Sequence, residues 1–197
     1  MGIIVTLLFW VLMLLLLTAA LTLVAVLFAL PGQKEGRSRR LLRAFIGTPV
    51  AVLSFCIPLF FLNLCLTTLT KTDCGLGDYF HVPLENGYRL CFIDTVGTGG
   101  YIERDEDPQD RFVDDIQLDG DVVYFRKGAD SFALDTQTHQ LSETPAPAGV
   151  ELLPAGEFYF LRYREVNRVG WIVIVLICLA LSASLTRLVC GLIRKLH

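Results

Sequence analysis

Three stretches of this chain carry no charged residue, at positions 3–30, 44–70 and 169–186, and between the last two the pattern changes to short alternating runs broken by turn residues. An α-helix rises 1.5 Å per residue, so about 20 apolar residues cross a bilayer core. Residues 3–30 read as a first span, long enough to tilt or to end near Trp10. The run is too long for the apolar core of a cleaved signal peptide and has no basic lead-in. Residues 44–70 read as a second span, bent where Pro49 and Pro58 remove backbone donors. The third span starts at Val169, with Trp171 at its interface, and reaches Ile193 if Arg187 snorkels towards the headgroups.

Residues 71–168 follow a different rule. Asn86-Gly87 tolerates the positive φ angles of a tight turn and predicts a hairpin over 80–93. Asp119-Gly120 predicts a second hairpin, joining 112–118 to 121–126, and Gly128-Ala129-Asp130 turns the chain again into 131–134. Residues 142–149, with Pro145 and Pro147, read as a loop, and 150–153 as a strand. A last strand is expected over 158–164, where Phe158, Phe160, Arg162 and Arg164 alternate with Tyr159, Leu161 and Tyr163. A short tether over 165–170 would then hold the β domain close to the bilayer.

Six or seven short strands make a small, mostly antiparallel sandwich or open barrel. The predicted fold is thus an α+β membrane protein: three transmembrane helices with a β domain between the second and third. Within 119–141, Asp119-Gly120-Asp121, Val122-Val123-Tyr124-Phe125-Arg126 and Leu134-Asp135-Thr136 resemble one blade of a β-propeller repeat. Propellers close from several copies and no second copy is present, which excludes a complete one.

Composition agrees with the membrane reading. Of 197 residues 53% are hydrophobic and 19% charged, against about 25% charged in soluble domains. What lies outside the spans is too short for a large enzyme. Charge is sorted along the chain: 71–168 holds 19 acidic and nine basic residues, a net −10, and the rest of the chain carries +7. Residues 31–43 carry Lys34, Arg37, Arg39, Arg40 and Arg43 against Glu35. Short basic loops stay cytoplasmic. That places the N-terminal tip and 71–168 outside and the tail 194–197 inside. Arg194 and Lys195 agree, while Arg162, Arg164 and Arg168 pull the other way. No Asn-x-Ser/Thr sequon occurs, which fits a bacterial inner membrane. The negative field of the β domain excludes nucleic acid as a partner.

The densest candidate site is acidic: Glu103, Asp105, Glu106, Asp107, Asp110, Asp114 and Asp115, followed by Asp119 and Asp121. Such carboxylates could collect Ca²⁺ or a basic protein partner, although the spacing is not that of an EF-hand. Their mutual repulsion favours a solvated, mobile loop over 103–110. Cys74 and Cys91 are the only cysteines of the β domain and are expected to bridge in an oxidising compartment, a link worth about 3 kcal/mol. Cys56, Cys65, Cys178 and Cys190 lie in or beside spans, where a thiol is a small apolar group. Gly97-Thr98-Gly99-Gly100 lacks the following helix and cation of a phosphate loop and reads as a flexible turn. His81 and His139 are isolated in sequence, and a triad such as Ser131, His139 and an aspartate would have to assemble in three dimensions.

At membrane depth there is Asn63 but no Asp, Glu, Lys or His, which argues against transport. Thr6, Thr18, Thr22, Thr67 and Thr68 are expected to bond within the bundle or to another subunit. These features favour a non-enzymatic accessory or interaction subunit, with the bilayer and another membrane or envelope protein as partners. An extracytoplasmic cation or ligand sensor is the alternative, and a membrane-bound hydrolase the third reading.

Overall fold

The computed structural model describes residues 2–31, 36–97, 99–104 and 107–196. Three long helices, α1 (Gly2–Ala29), α2 (Arg37–Thr70) and α3 (Ala155–Leu196), bracket nine strands in chain order. Each helix is long and apolar enough to cross a bilayer, so the chain is an integral membrane protein with three candidate spans. It divides into two compact units, a helical one of Met1–Cys65 with Val169–His197 and a β unit of Leu66–Arg168.

In the helical unit, α1 is apolar on every side and Leu8, Leu16 and Leu23 are more than half exposed. A helix of this kind is solvated by lipid. Two of its threonines bond back to their own turns: Thr18 Oγ1 donates to the Leu14 carbonyl and Thr22 Oγ1 to the Thr18 carbonyl, each at 2.7 Å. The helices α2 and α3 meet through small residues. Ser182 Oγ donates to the Ala51 carbonyl at 2.8 Å, and a Cβ on Gly47 would stand 3.4 Å from Cys190 Sγ. As the α2 number falls from Ala51 to Gly47 the α3 number rises from Ser182 to Cys190, so the two helices run antiparallel. The helix α2 continues through Pro49 and Pro58 and starts at Arg37, ahead of the apolar run. Arg37, Arg39, Arg40 and Arg43, expected in a loop, occupy its first turns, as the high helix propensity of arginine allows.

The β unit contains two open antiparallel sheets. One has the order β1 (Tyr79–Pro83), β2 (Tyr88–Ile93), β3 (Gly100–Arg104), β4 (Asp107–Val113). The other contains β5 (Asp115–Asp119), β6 (Val122–Lys127), β7 (Asp130–Asp135), β8 (Gln140–Ser142) and β9 (Leu153–Pro154) in the order β8-β7-β6-β5-β9. The β1–β2 turn has the expected form: Asn86 and Gly87 both take positive φ, at 53° and 84°, and Leu84 N–H donates to the Tyr88 carbonyl. Lys127 pairs with Asp130 across the β6–β7 turn.

The single strand expected over 112–118 is broken at Asp114, where the chain leaves one sheet and enters the other. Asp114 N–H donates to the Arg126 carbonyl, its own carbonyl accepts from Ala155 N–H, and its carboxylate accepts from Gly128 N–H at 2.7 Å. One residue thus fixes the corner between the sheets and the start of α3.

The core is built from the alternating inward positions of both sheets, among them Val82, Leu90, Phe92, Ile102, Val113, Ile116, Val123 and Leu134, together with Ala155, Phe158 and Tyr159 of α3. The strand expected over 158–164 is therefore corrected to helix. Phe158 is 6% exposed and Phe160 is 59% exposed, although a strand would put both on one face. The buried positions Ala155, Phe158, Tyr159 and Asn167 follow a helical period. Aromatic and β-branched preference for strands yields to such packing. Gly156 makes the approach feasible, since a Cβ there would stand 2.3 Å from the Gly97 carbonyl oxygen. The tether expected over 165–170 is likewise interior to α3.

Candidate functional site

The outward face of the first sheet gathers the largest set of reactive groups. Antiparallel register places His81 opposite Cys91, Cys91 opposite Tyr101 and Arg89 opposite Glu103, and directly opposed residues share a face. The Tyr79 hydroxyl donates to Glu103 Oε1 and lies 3.1 Å from Cys91 Sγ, while Arg89 Nε donates to the same Glu103 oxygen at 2.6 Å. The Tyr79 ring lies against His81, with centroids 5.4 Å apart. His81 Nδ1 is buried and finds no hydrogen-bond partner among the described residues.

The electrostatics of this group favour the neutral forms of its thiol and imidazole. Burial pushes the Cys91 thiol up to about 12, and the nearby Glu103 carboxylate adds to this against the Tyr79 hydrogen bond. Burial, then the Arg89 guanidinium, lowers the His81 imidazole below its ordinary value. For Glu103, burial raises the carboxyl, but the Tyr79 and Arg89 hydrogen bonds outweigh it and the net direction is down. The arrangement is a neutral thiol and a neutral imidazole beside a paired carboxylate, not the thiolate–imidazolium pair of a nucleophilic cysteine.

Both Cys74 and Cys91 are free thiols in this structure, so the expected bridge is absent. Asp73 N–H donates to the His81 carbonyl at 3.1 Å, which runs the chain along one edge of β1 while β2 lies along the other. Spanning two strand spacings means roughly 9–10 Å, beyond the Cα separation of about 7 Å that a disulfide tolerates.

Of the acidic residues, Glu103, Asp114, Asp115 and Asp121 each have an internal partner. The loop expected over 103–110 is corrected to a hairpin: Glu103 lies in β3, Asp107 and Asp110 lie in β4, and Arg104 pairs with Asp107. Asp105 and Glu106 fall outside the described residues. At Glu103 the repulsion that predicted a loop is offset by pairing with Arg89. Asp114 holds the sheet corner and Asp115 pairs with Arg126. Asp119 ends β5 opposite Val122. Asp121 accepts from Asn86 Nδ2 at 3.1 Å and from Gln137 Nε2 at 2.7 Å, tying the hairpin tips of the two sheets together. Among the described residues no group of three or more His, Cys, Asp or Glu is placed to hold a metal ion.

Ser131 and His139 do not meet. Ser131 is at the start of β7 and His139 follows its end, about 13 Å of strand away. His139 Nδ1 instead faces the Tyr88 hydroxyl at 3.3 Å. An open cleft of about 350 Å³ lies on the outer face of the second sheet, lined by Tyr124, Ala133, Asp135, Gln140, Pro145 and Pro147 among others. Its lining includes neither histidine. In the glycine run, Thr98 falls outside the described residues, Gly97 packs its carbonyl against Gly156, and Gly100 begins β3.

A second polar node escaped the sequence reading because its members are far apart in the chain. Asn167 of α3 is fully buried; its Oδ1 accepts from Thr70 Oγ1 at 2.9 Å and its Nδ2 donates to Thr72 Oγ1 at 3.2 Å. Beside it the buried Asp73 accepts from the Tyr159 hydroxyl at 3.2 Å and from Gly75 N–H at 2.7 Å. The only sequence signal for it was the run Thr67, Thr68, Thr70, Thr72 and Asp73 at the end of α2.

Comparison of the chain with protein-family models, with curated proteins and with solved structures finds no match in any of the three.

Proposed function

We propose that this chain is a non-enzymatic accessory subunit of a membrane complex, displaying its acidic β unit outside the cytoplasm of a bacterial inner membrane, with the N-terminus out and the C-terminus in. The observation that carries this reading is the state of the β unit's reactive groups. The thiol of Cys91 and the imidazole of His81 are held neutral, and Glu103, Asp114, Asp115 and Asp121 are each bound to a neighbour. What is left on the surface is charge and shape, the means by which an interaction module selects a partner. The orientation is supported by the cations at the start of α2, which are costly to carry across a bilayer.

Two measurements test the two parts of this proposal. A tagged chain expressed at native level and extracted in mild detergent should migrate as a complex well above its 22.0 kDa, and a photo-crosslinker at Leu16 should trap a second membrane protein. A monomer with no adduct removes the accessory role. In intact cells an impermeant thiol reagent should modify Glu143→Cys and spare Arg37→Cys, and the reverse pattern removes the orientation.

A further inference from the structure

In the second sheet β8 forms one edge and β9 the other. The chain leaves β8 at Ser142 and has to pass β7, β6 and β5 before it reaches Leu153 of β9. It passes on the outward face, because Thr144, Pro145 and Pro147 of this connection wall the same cleft as Val122, Tyr124, Ala133 and Asp135 of the strands. The cleft of about 350 Å³ is thus the gap between a strap and a sheet, a size at the small end of ligand pockets.

Strand register explains its lining. Val122 stands opposite Asp135 and Asp135 opposite Gln140, while Tyr124 stands opposite Ala133 and Ala133 opposite Ser142. Opposed residues share a face, so these are two neighbouring rows on the outward side. The row between them turns Val123 and Leu134 into the core. Ala133, which has no side chain beyond Cβ, is the low point between Tyr124 and Ser142. Tyr124 and Asp135 are diagonal neighbours across β6 and β7, about 7–8 Å apart, a separation that admits a flat cation between ring and carboxylate.

The charge here has one sign. Asp135 is the one charged residue among the described residues that line the cleft. Its Oδ1 accepts from the Thr138 and Gln137 N–H groups at 3.0 and 2.9 Å, and the Thr138 N–H above all holds its carboxyl below the ordinary value. From position 128 to 161, a stretch covering β7, β8, the strap and β9, the sequence holds Asp130, Asp135, Glu143, Glu151 and Glu157 and no lysine or arginine. A cation complements such a surface. Guanidinium fits it best, since it stacks on an aromatic ring and pairs with a carboxylate through the same planar group. The approach is over β8, whose three residues are exposed and whose far side is paired with no strand among the described residues. Such an edge receives extended chain.

We propose that this cleft docks an extended, arginine-bearing segment of a partner protein, which enters over β8 and places a guanidinium between Tyr124 and Asp135. This rests on the β unit being an interaction module, and it fixes the face used and the chemistry of what binds.

The test titrates the purified full chain in detergent with a fluorescent, capped peptide of alternating valine and arginine, read by anisotropy. The comparisons are the same peptide with citrulline for arginine, and free arginine amide as competitor. The arginine peptide should bind about tenfold more tightly than either. Asp135→Asn keeps an oxygen for the Gln137 and Thr138 N–H groups and removes only the charge, and it should weaken binding by about threefold to fivefold. Ala133→Leu alters no charge but fills the floor of the cleft, and it should weaken binding at least as much. Asp130→Asn removes the same charge at the start of β7, outside the lining, and should leave the affinity unchanged.

Equal binding of the arginine and citrulline peptides overturns the proposal. Equal losses in Asp130→Asn and Asp135→Asn, with none in Ala133→Leu, also overturn it, because the attraction would then be to net charge alone. Free arginine amide binding as tightly as the peptide overturns the partner segment in favour of a small cation. The peptide comparisons use the wild-type chain, so they decide the matter even where a variant fails to fold. No peptide binding by a chain that still migrates in its native complex removes this cleft and leaves the interaction role standing.

Discussion

The two units of this chain use the same apolar residues in opposite senses. In the helical unit leucine faces outward: Leu16 of α1 is 56% exposed, and the polar groups of that helix bond back to their own turns. In the β unit leucine faces inward: Leu90 is 0% exposed, and the polar groups reach across the chain, as Asn167 does to Thr70 and Thr72. Lipid accepts an apolar surface and no unsatisfied donor, so a span closes its hydrogen bonds locally. Water drives apolar burial and accepts polar edges, so the β unit can spend its hydrogen bonds on long-range contacts. Stability of the β unit is therefore distributed over distant pairs, while that of α1 is a local property.

The contrast is sharpest for a single substitution made in both units. Leu90→Ala should lower the unfolding free energy of the β unit by about 2–5 kcal/mol. Leu16→Ala should change stability in detergent by about 0.5 kcal/mol or less. Chemical denaturation followed by far-UV circular dichroism measures both, and equal effects would break the comparison. Next in size, Asn167→Ala removes the amide's bonds to Thr70 and Thr72, whose hydroxyls keep each other, and should cost about 1 kcal/mol, read as a lower midpoint in the same assay.

The smallest effect sharpens the comparison through pH. His81 has a folded value lowered from its ordinary 6.5, and Glu103 one lowered from 4.5. Each contributes stability that is complete above its ordinary value and lost as pH falls through its folded value. The melting temperature of the β unit should stay level near neutrality and fall in two stages on acidification. His81→Gln should remove the upper stage and Glu103→Gln the lower one.

Several elements were legible because their cause is local. The three spans follow from uninterrupted apolar length, and the Asn86-Gly87 hairpin from two residues that accept positive φ. The candidate site was less legible. The acidic run suggested a loop because repulsion within it is visible along the chain, whereas the neutralising Arg89 stands 14 positions from Glu103 and meets it only across a strand pair. The same applies to Tyr79, His81 and Cys91, whose meeting depends on strand register.

The stretch 158–164 shows where local pattern fails. Its alternation of aromatic and charged residues fits a strand as well as a helix, and only the docking of Ala155, Phe158 and Tyr159 into the sheet core selects the helix. The amino-acid order by itself determined the spans, the turns and the sorting of charge, since each of these arises from neighbours within a few residues. The tertiary structure alone decided which carboxylates are paired, whether Cys74 can reach Cys91, and where the chain passes from one sheet to the other at Asp114. Those outcomes depend on contacts between distant segments, whose energies no local pattern records.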